Sequence, residues 1–240
     1  LRSHLLIGLQ LVRTIMDSDR PPPIHEEVRY MMIRRSILVT GGAGFVGSNL
    51  AVLFKTNHPE SKVVAIDNLK RRGSELNLPR LAKAGVRFVH GDVRNREDLY
   101  VEGFVPDTII ECSAEPSVTA GYGTSPEYLI NTNLGGTVNC LELARATGAQ
   151  MIFLSTSRVY PISRLNTLAY TEDVSRFILS ERQSVAGASD NGVSELFPMD
   201  GPRSMYGATK LSSEHLIEEY SAAYGLQCVI NRCGVIAGPW

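Results

Sequence analysis

A doubly wound α/β fold, with a parallel sheet covered by helices on both faces, is what this 240-residue sequence predicts. Three observations carry the prediction. Short, nearly all-apolar runs recur along the chain, as they do in strands buried on both sides. Stretches with helical spacing of apolar residues separate them. A glycine-rich turn follows the first run directly and opens the first of those helices.

Taken in order, "SILVT" (36–40) is the first strand, and "FVGSNLAVLFKTN" after the glycines has the apolar spacing of a helix. "KVVAID" (62–67), "VRFVHGDV" (86–93) and "DTIIECSA" (107–114) read as the next three strands. "QMIFLSTS" (150–157) and "LQCVINRCG" (226–234) follow as the fifth and sixth. The clearest helices fall at about 126–147 and 204–224. Residues 161–203, from "PISRLN" to "DGPR", break the rhythm as a long connection rich in Ser, Asp, Gly and Pro, expected to be functional or disordered.

Residues 1–34 are polar and Pro-rich towards their end and lack clear periodicity. They read as a loosely ordered extension, with Met31 or Met32 as a natural start and a docking role left open. Residues 35–240 then form the nucleotide-binding domain, with 161–203 as its insertion.

Hydrophobic residues make up 43% and charged residues 20%, the balance of a soluble globular chain. A net charge of −1 argues against nucleic acid or an acidic membrane as partner, leaving a small molecule. The apolar run "LLIGLQLV" is far too short to span a bilayer and lacks a small-residue cleavage site. A cytoplasmic protein is therefore expected. Cys112, Cys140, Cys228 and Cys233 show no C-x-x-C spacing. Cys228 and Cys233, five apart on one strand, point to opposite faces and cannot share a metal. Buried reduced thiols and no metal are expected.

Function enters with "VTGGAGFVGSN", where Gly41-x-x-Gly44-x-x-Gly47 lies between strand and helix. Glycines there permit a tight turn and let backbone N–H groups and the helix N-terminus approach a pyrophosphate. Asp67 ends the second strand 20 residues beyond Gly47, where a carboxylate can accept the adenosine ribose hydroxyls. A carboxylate there repels a 2′-phosphate and favours NAD, although Lys70, Arg71 or Arg72 could grip such a phosphate. Asp92 follows the third strand at the carboxyl end of the sheet, either as a ligand residue or as part of the turn. His90 before it reads as structural.

Thr156 ends the fifth strand, and Tyr206-x-x-x-Lys210 places a phenol and an ammonium on one helix face. A phenol near pKa 10 is a poor base at neutral pH, and a fixed cation nearby favours its ionised form. Lys210 is expected to supply that field.

These residues resemble the extended short-chain dehydrogenase/reductase family, whose domain is the Rossmann fold, and within it the nucleotide-sugar epimerases and dehydratases. The match runs from about 36 to 240. The resemblance implies that Gly41, Gly44, Phe45 and Val46 line the pyrophosphate of NAD, that Asp67 and Asn68 hold the ribose, and that Asp92 and Val93 lie by the adenine. Ser113, Ala114, Glu115, Asn133 and Cys233 would also border the cofactor, and Glu115, Ser117 and Arg158 the substrate. Thr156, Tyr206 and Lys210 carry over as the catalytic set, which also touches the cofactor.

The 4,6-dehydratases of that family follow the catalytic Thr with an Asp-Glu pair, whereas this chain has Ser157-Arg158. Neither can deliver a carboxylic proton, which disfavours elimination. The decarboxylating xylose synthases carry a Glu where Arg158 stands. "ECSAEPSV", "TSRVY", "NRCGVIAGPW" and the long insertion are most similar to CDP-paratose 2-epimerases, also called CDP-tyvelose epimerases. Glu111-Cys112 and Pro161 depart from the pattern, which commonly has His-Leu and Gly there. The resemblance implies an NAD-dependent epimerase acting on a nucleotide-sugar, with a homodimer as an open expectation for assembly. A C-terminal substrate lobe, largely absent after Trp240, is also implied. A net sugar oxidoreductase or dehydratase and a non-catalytic nucleotide-binding protein are the alternatives.

Overall fold

The structure, a computed structural model, describes residues 35–238. The expected extension over 1–34 lies outside the described residues. In chain order the strands are β1 (Ser36–Thr40), β2 (Lys62–Asp67), β3 (Arg87–His90), β4 (Thr108–Glu111), β5 (Gln150–Thr156), β6 (Tyr170–Glu172), β7 (Phe177–Leu179), β8 (Ala188–Ser189), β9 (Gly192–Val193) and β10 (Cys228–Cys233). The helices are α1 (Phe45–Asn57), α2 (Leu78–Ala84), α3 (Glu127–Ile130), α4 (Gly136–Thr147), α5 (Ile162–Leu165) and α6 (Met205–Tyr224).

β10, β5, β4, β1, β2 and β3 form one sheet in that order, and every pairing is parallel. The strand order reverses between β1 and β4, so the crevice at their carboxyl ends is where ligands bind in such sheets. Residue alternation sorts the core into two layers. Leu38, Val64, Ile66, Ile109, Met151 and Phe153 pack with Cys140, Leu141 and Ala144 of α4 and Ile217 of α6. Ile37, Val39, Val63, Ala65 and Ile110 pack with Ala51 of α1 and Leu81 of α2. Each fully buried aliphatic side chain contributes about 1.5–3 kcal/mol, so a sheet filled on both faces is the expected outcome of these runs.

The first two strands and α1 match their sequence bounds, while the other four strands of the sheet end early. The run 86–93 is strand only over Arg87–His90, because the Asp92 N–H donates to the Asp98 carboxylate at 2.8 Å instead of to a ladder. The run 107–114 is reduced to Thr108–Glu111, beyond which the chain passes under the turn at Gly41. The sixth run is strand over Cys228–Cys233. The helix expected at 126–147 is interrupted by a π-helical turn over Asn131–Gly135.

The insertion carries a small core of its own. Phe197, 1% exposed, meets Tyr160 edge to face with centroids 5.6 Å apart, and Leu165, Leu168, Val185, Val193 and Met199 pack around them. β6 and β7 pair antiparallel, as do β8 and β9. Among the cysteines only Cys140 is fully buried; Cys112, Cys228 and Cys233 are half-buried, less enclosed than expected. Among the described residues no helix is long and apolar enough to cross a membrane.

Candidate functional site

The glycine turn is built largely by its own packing. Gly41 has φ +62°, which side chains rarely adopt, and a Cβ there would lie 2.8 Å from the Cys112 carbonyl. A Cβ on Gly47 would come within 2.2 Å of the Gly41 oxygen, and one on Gly42 within 2.6 Å of the Ala65 Cβ. Gly44 differs: a Cβ would meet only the Gly41 oxygen, at 3.1 Å. It is the N-cap of α1 and no side chain caps that end. The first-turn N–H groups at Phe45 and Val46 therefore face the crevice without a side-chain acceptor, the usual setting for an anion.

Asp67 braces this turn. Its Oδ2 accepts the Ala43 N–H at 3.1 Å and its Oδ1 the Leu69 N–H at 2.8 Å. A carboxylate has lone pairs to spare for ribose hydroxyls. Asn77, which sequence spacing does not single out, donates from Nδ2 to the buried Ala43 carbonyl at 2.9 Å. At the next loop Asn68 donates to Asp92 at 2.9 Å, and Arg94 binds both oxygens of Asp92. The Arg94 guanidinium holds the Asp92 carboxyl far below the usual carboxylate range, with Asn68 helping and burial opposing. Val93 lies against Gly136, where a Cβ would come within 2.7 Å of its methyl. Lys70 sits 4.3 Å from the Tyr128 ring centroid and Arg94 4.8 Å, so Lys70 rests on an aromatic face, while Arg71 and Arg72 are exposed.

Under the turn, the segment after β4 meets the π turn. Asn133 accepts the Glu115 N–H at 2.8 Å and donates to the Glu115 carbonyl at 3.3 Å and to Thr209 on α6 at 3.2 Å. Glu115 in turn accepts the Ser117 N–H at 3.2 Å. The Ser113 hydroxyl is buried without a hydrogen-bond partner. An orphaned hydroxyl costs stability unless a ligand satisfies it.

Thr156 ends β5 opposite Cys233 of β10, and its hydroxyl accepts the Arg158 N–H at 3.2 Å. Tyr206 and Lys210 lie one turn apart on α6. Burial pushes the Tyr206 phenol up; a hydrogen bond to the Thr156 side chain and the exposed Arg158 guanidinium pull it down. Arg158 thus adds a cation beside the phenol, one that the Tyr-x-x-x-Lys spacing does not reveal. Lys210 is 2% exposed and its Nζ lies 4.1 Å from the Phe153 ring centroid. Burial pushes its ammonium down, while Glu111 foremost, then Cys112, Glu214 and Cys233, push it up. Below it Arg232 grips the buried Glu214 through Nη2 at 2.7 Å and Nε at 3.0 Å, and Ser155 donates to the same carboxylate.

The uncapped helix end, the open side of Gly44 and the orphaned Ser113 hydroxyl together fit a dinucleotide laid across the switch point. The structure brings Gly41, Gly44, Phe45, Val46 and Asp67 together at one edge of that crevice. Asn68, Asp92 and Val93 lie beyond, and Ser113, Glu115, Asn133, Thr156, Tyr206, Lys210 and Cys233 are on the far side. Ala114 and Ser117 stand half-buried on the same segment after β4.

A profile described as "NAD dependent epimerase/dehydratase family" matches residues 37–240. The chain is 31% identical over 201 residues to a CDP-paratose 2-epimerase of Salmonella typhi, covering 82% of this chain and 56% of that protein. It is 32% identical over 209 residues to a dTDP-glucose 4,6-dehydratase of Neisseria meningitidis serogroup B, covering 86% and 54%. Among solved structures, the UDP-glucuronic acid 4-epimerase of Bacillus cereus with UDP-glucuronic acid and NAD aligns with a TM-score of 0.60 at 26% identity, covering 82% and 55%. The chain spans about half the length of the curated relatives it matches.

Proposed function

The chain belongs to the NAD-dependent epimerase/dehydratase family, and on that premise we propose that it is the nucleotide-binding part of a nucleotide-sugar epimerase of the CDP-paratose 2-epimerase type. The observation that carries the reading is the placement of Thr156 at the end of β5 and of Tyr206 in the first turn of α6, which packs through Gly207 on the Arg158 carbonyl. Gly41, Gly44, Phe45 and Val46 would hold the pyrophosphate of NAD. Asp67 and Asn68 would hold the ribose, Asp92 and Val93 the adenine end, and Lys210 the nicotinamide end. NAD supplies reversible hydride acceptance and is regenerated in an epimerisation.

Tyr206 takes the proton of a sugar hydroxyl as that carbon is oxidised and returns it when the keto-sugar is reduced on its other face. Thr156 hydrogen-bonds the same oxygen and steadies its charge. Arg158 favours the ionised phenol that the first step needs. Glu115 and Ser117 would border the sugar. Ser157-Arg158 after the catalytic Thr supplies no carboxylic acid for elimination, which favours epimerase over dehydratase.

Replacing Tyr206 with Phe tests the assignment, with an expected loss of at least about a thousandfold in turnover and NAD affinity held within about threefold. Near-normal turnover in that variant would remove Tyr206 from the mechanism. Products from CDP-, UDP-, GDP- and dTDP-sugars, read by NMR, separate the branches. A new stereoisomer without net cofactor change supports the epimerase. A deoxy-keto product selects a dehydratase, the second reading, which the dehydratases among the relatives favour.

A further inference from the structure

We propose that Glu111 is a positioning residue for Lys210: a buried carboxylate whose charge keeps the ammonium protonated beneath the nucleotide crevice. The proposal rests on the preceding reading only for the importance of Lys210. Its test needs neither sugar nor NAD, so the two can fail separately.

Glu111 closes β4, in register with Thr40 on β1 and Phe153 on β5. Register partners in a parallel ladder project to one face of the sheet. Lys210 reaches that face from α6, its Nζ over the Phe153 ring. Carboxylate and ammonium thus flank one aromatic side chain, with exposures of 0% and 2% and no direct ion pair between them. Water cannot support either charge there, and a buried cation without a counter-charge sheds its proton. The other ionisable neighbours cannot take over that role. Cys112, just past β4, and Cys140 on α4 are both pushed well up by burial, and burial raises Cys233 on β10 as well. Glu214 on α6 is committed to Arg232 of β10. Thr40, Phe153 and Ser155 bring no charge.

The carboxylate is anchored at one oxygen. The Thr137 hydroxyl of α4 lies 2.8 Å from Glu111 Oε1 and 2.7 Å from the Asn133 carbonyl, while Oε2 has no hydrogen-bond partner. One hydroxyl proton cannot serve both acceptors. When Glu111 is ionised, Thr137 donates to it; when Glu111 is neutral, it can donate to Thr137, which then donates to Asn133. The charge of Glu111 is therefore coupled to the π turn as well as to Lys210. Burial pushes this carboxyl up to about 7, against the pull of Lys210 and Thr137, so the charge that acts on Lys210 changes close to neutrality.

The test is NMR titration of the 240-residue chain carrying ¹³C at lysine Cε and glutamate Cδ, with resonances assigned through Lys210→Arg and Glu111→Gln. In the wild type the Glu111 carboxyl carbon is expected to titrate near neutrality, with the Lys210 Cε responding at the same pH. In Glu111→Gln, which keeps the shape and removes the charge, the Lys210 midpoint should fall by at least about tenfold in proton affinity. An unchanged Lys210 midpoint would overturn the proposal. If that variant does not fold, two measurements decide. The wild type must still co-titrate, and Thr137→Val must move the Glu111 midpoint upward. A Glu111 carbon titrating in the ordinary carboxylate range, without response from Lys210, would overturn it equally.

Discussion

Between Tyr206 and Lys210 the chain places Gly207, whose part in the site the Tyr-x-x-x-Lys spacing conceals. A Cβ at Gly207 would stand 2.1 Å from the Arg158 carbonyl oxygen, so α6 lies directly on the turn that follows Thr156. Gly207→Ala is expected to lever the helix away and cost about 1–3 kcal/mol by denaturant unfolding. Because proton transfer tolerates little displacement, turnover should fall by about a hundredfold while NAD affinity changes little. Arg158 offers a second residue-scale outcome. Tyr206 is raised by burial and lowered by Thr156 and Arg158. Removing the cation in Arg158→Met should raise the phenol further, moving the ascending limb of the pH–rate profile to higher pH. A profile that stays in place would separate Arg158 from the phenol. The positions of Thr156, Tyr206, Lys210 and Asp67 are legible in the sequence because each is fixed by its place on one element. Gly207, Asn77 and Glu111 are not, because their roles arise from contacts between elements distant in the chain.

The six sheet strands and α6 are legible for a simple reason: strands buried on both faces leave uninterrupted apolar runs, and amphipathic helices leave a 3.6-residue period. The π turn leaves no such mark. It coincides with Asn133, whose side chain bonds both the N–H and the carbonyl of Glu115, a tie made across space. The start of α6 is marked locally. Ser204 is its N-cap and accepts the Gly207 N–H at 3.0 Å. Ser204→Ala should therefore cost about 1 kcal/mol of stability in denaturant unfolding. It should also weaken turnover more than NAD affinity, since the phenol sits in the first turn while the glycine turn belongs to α1. A loss of affinity larger than the loss of turnover would contradict that division.

At the scale of the molecule, the sheet divides labour between its layers. The α1–α2 layer packs behind the glycine turn, while the α4–α6 layer carries the ionisable and hydroxyl groups. The insertion is a third body, and composition misrepresents it: Ser, Asp, Gly and Pro suggest a connection without structure, yet a few apolar residues spaced along it converge. Phe197 anchors them on Tyr160, which directly follows the turn carrying Arg158, and Tyr160 also stacks on Arg232, 5.4 Å from its ring centroid. Removing the anchor therefore discriminates between two pictures. In Phe197→Ala the lost packing is worth about 3–5 kcal/mol. If the insertion is a satellite with its own core, that cost falls on local opening. Hydrogen exchange should then rise across 161–203, while β1, β4 and β5 keep their protection and the global unfolding midpoint moves little. If the insertion were integral to the main core, protection would fall across the sheet together with the midpoint. The separate cluster around Val159, Tyr160 and Phe197 supports the first outcome, because it shares no residue with either layer of the sheet core.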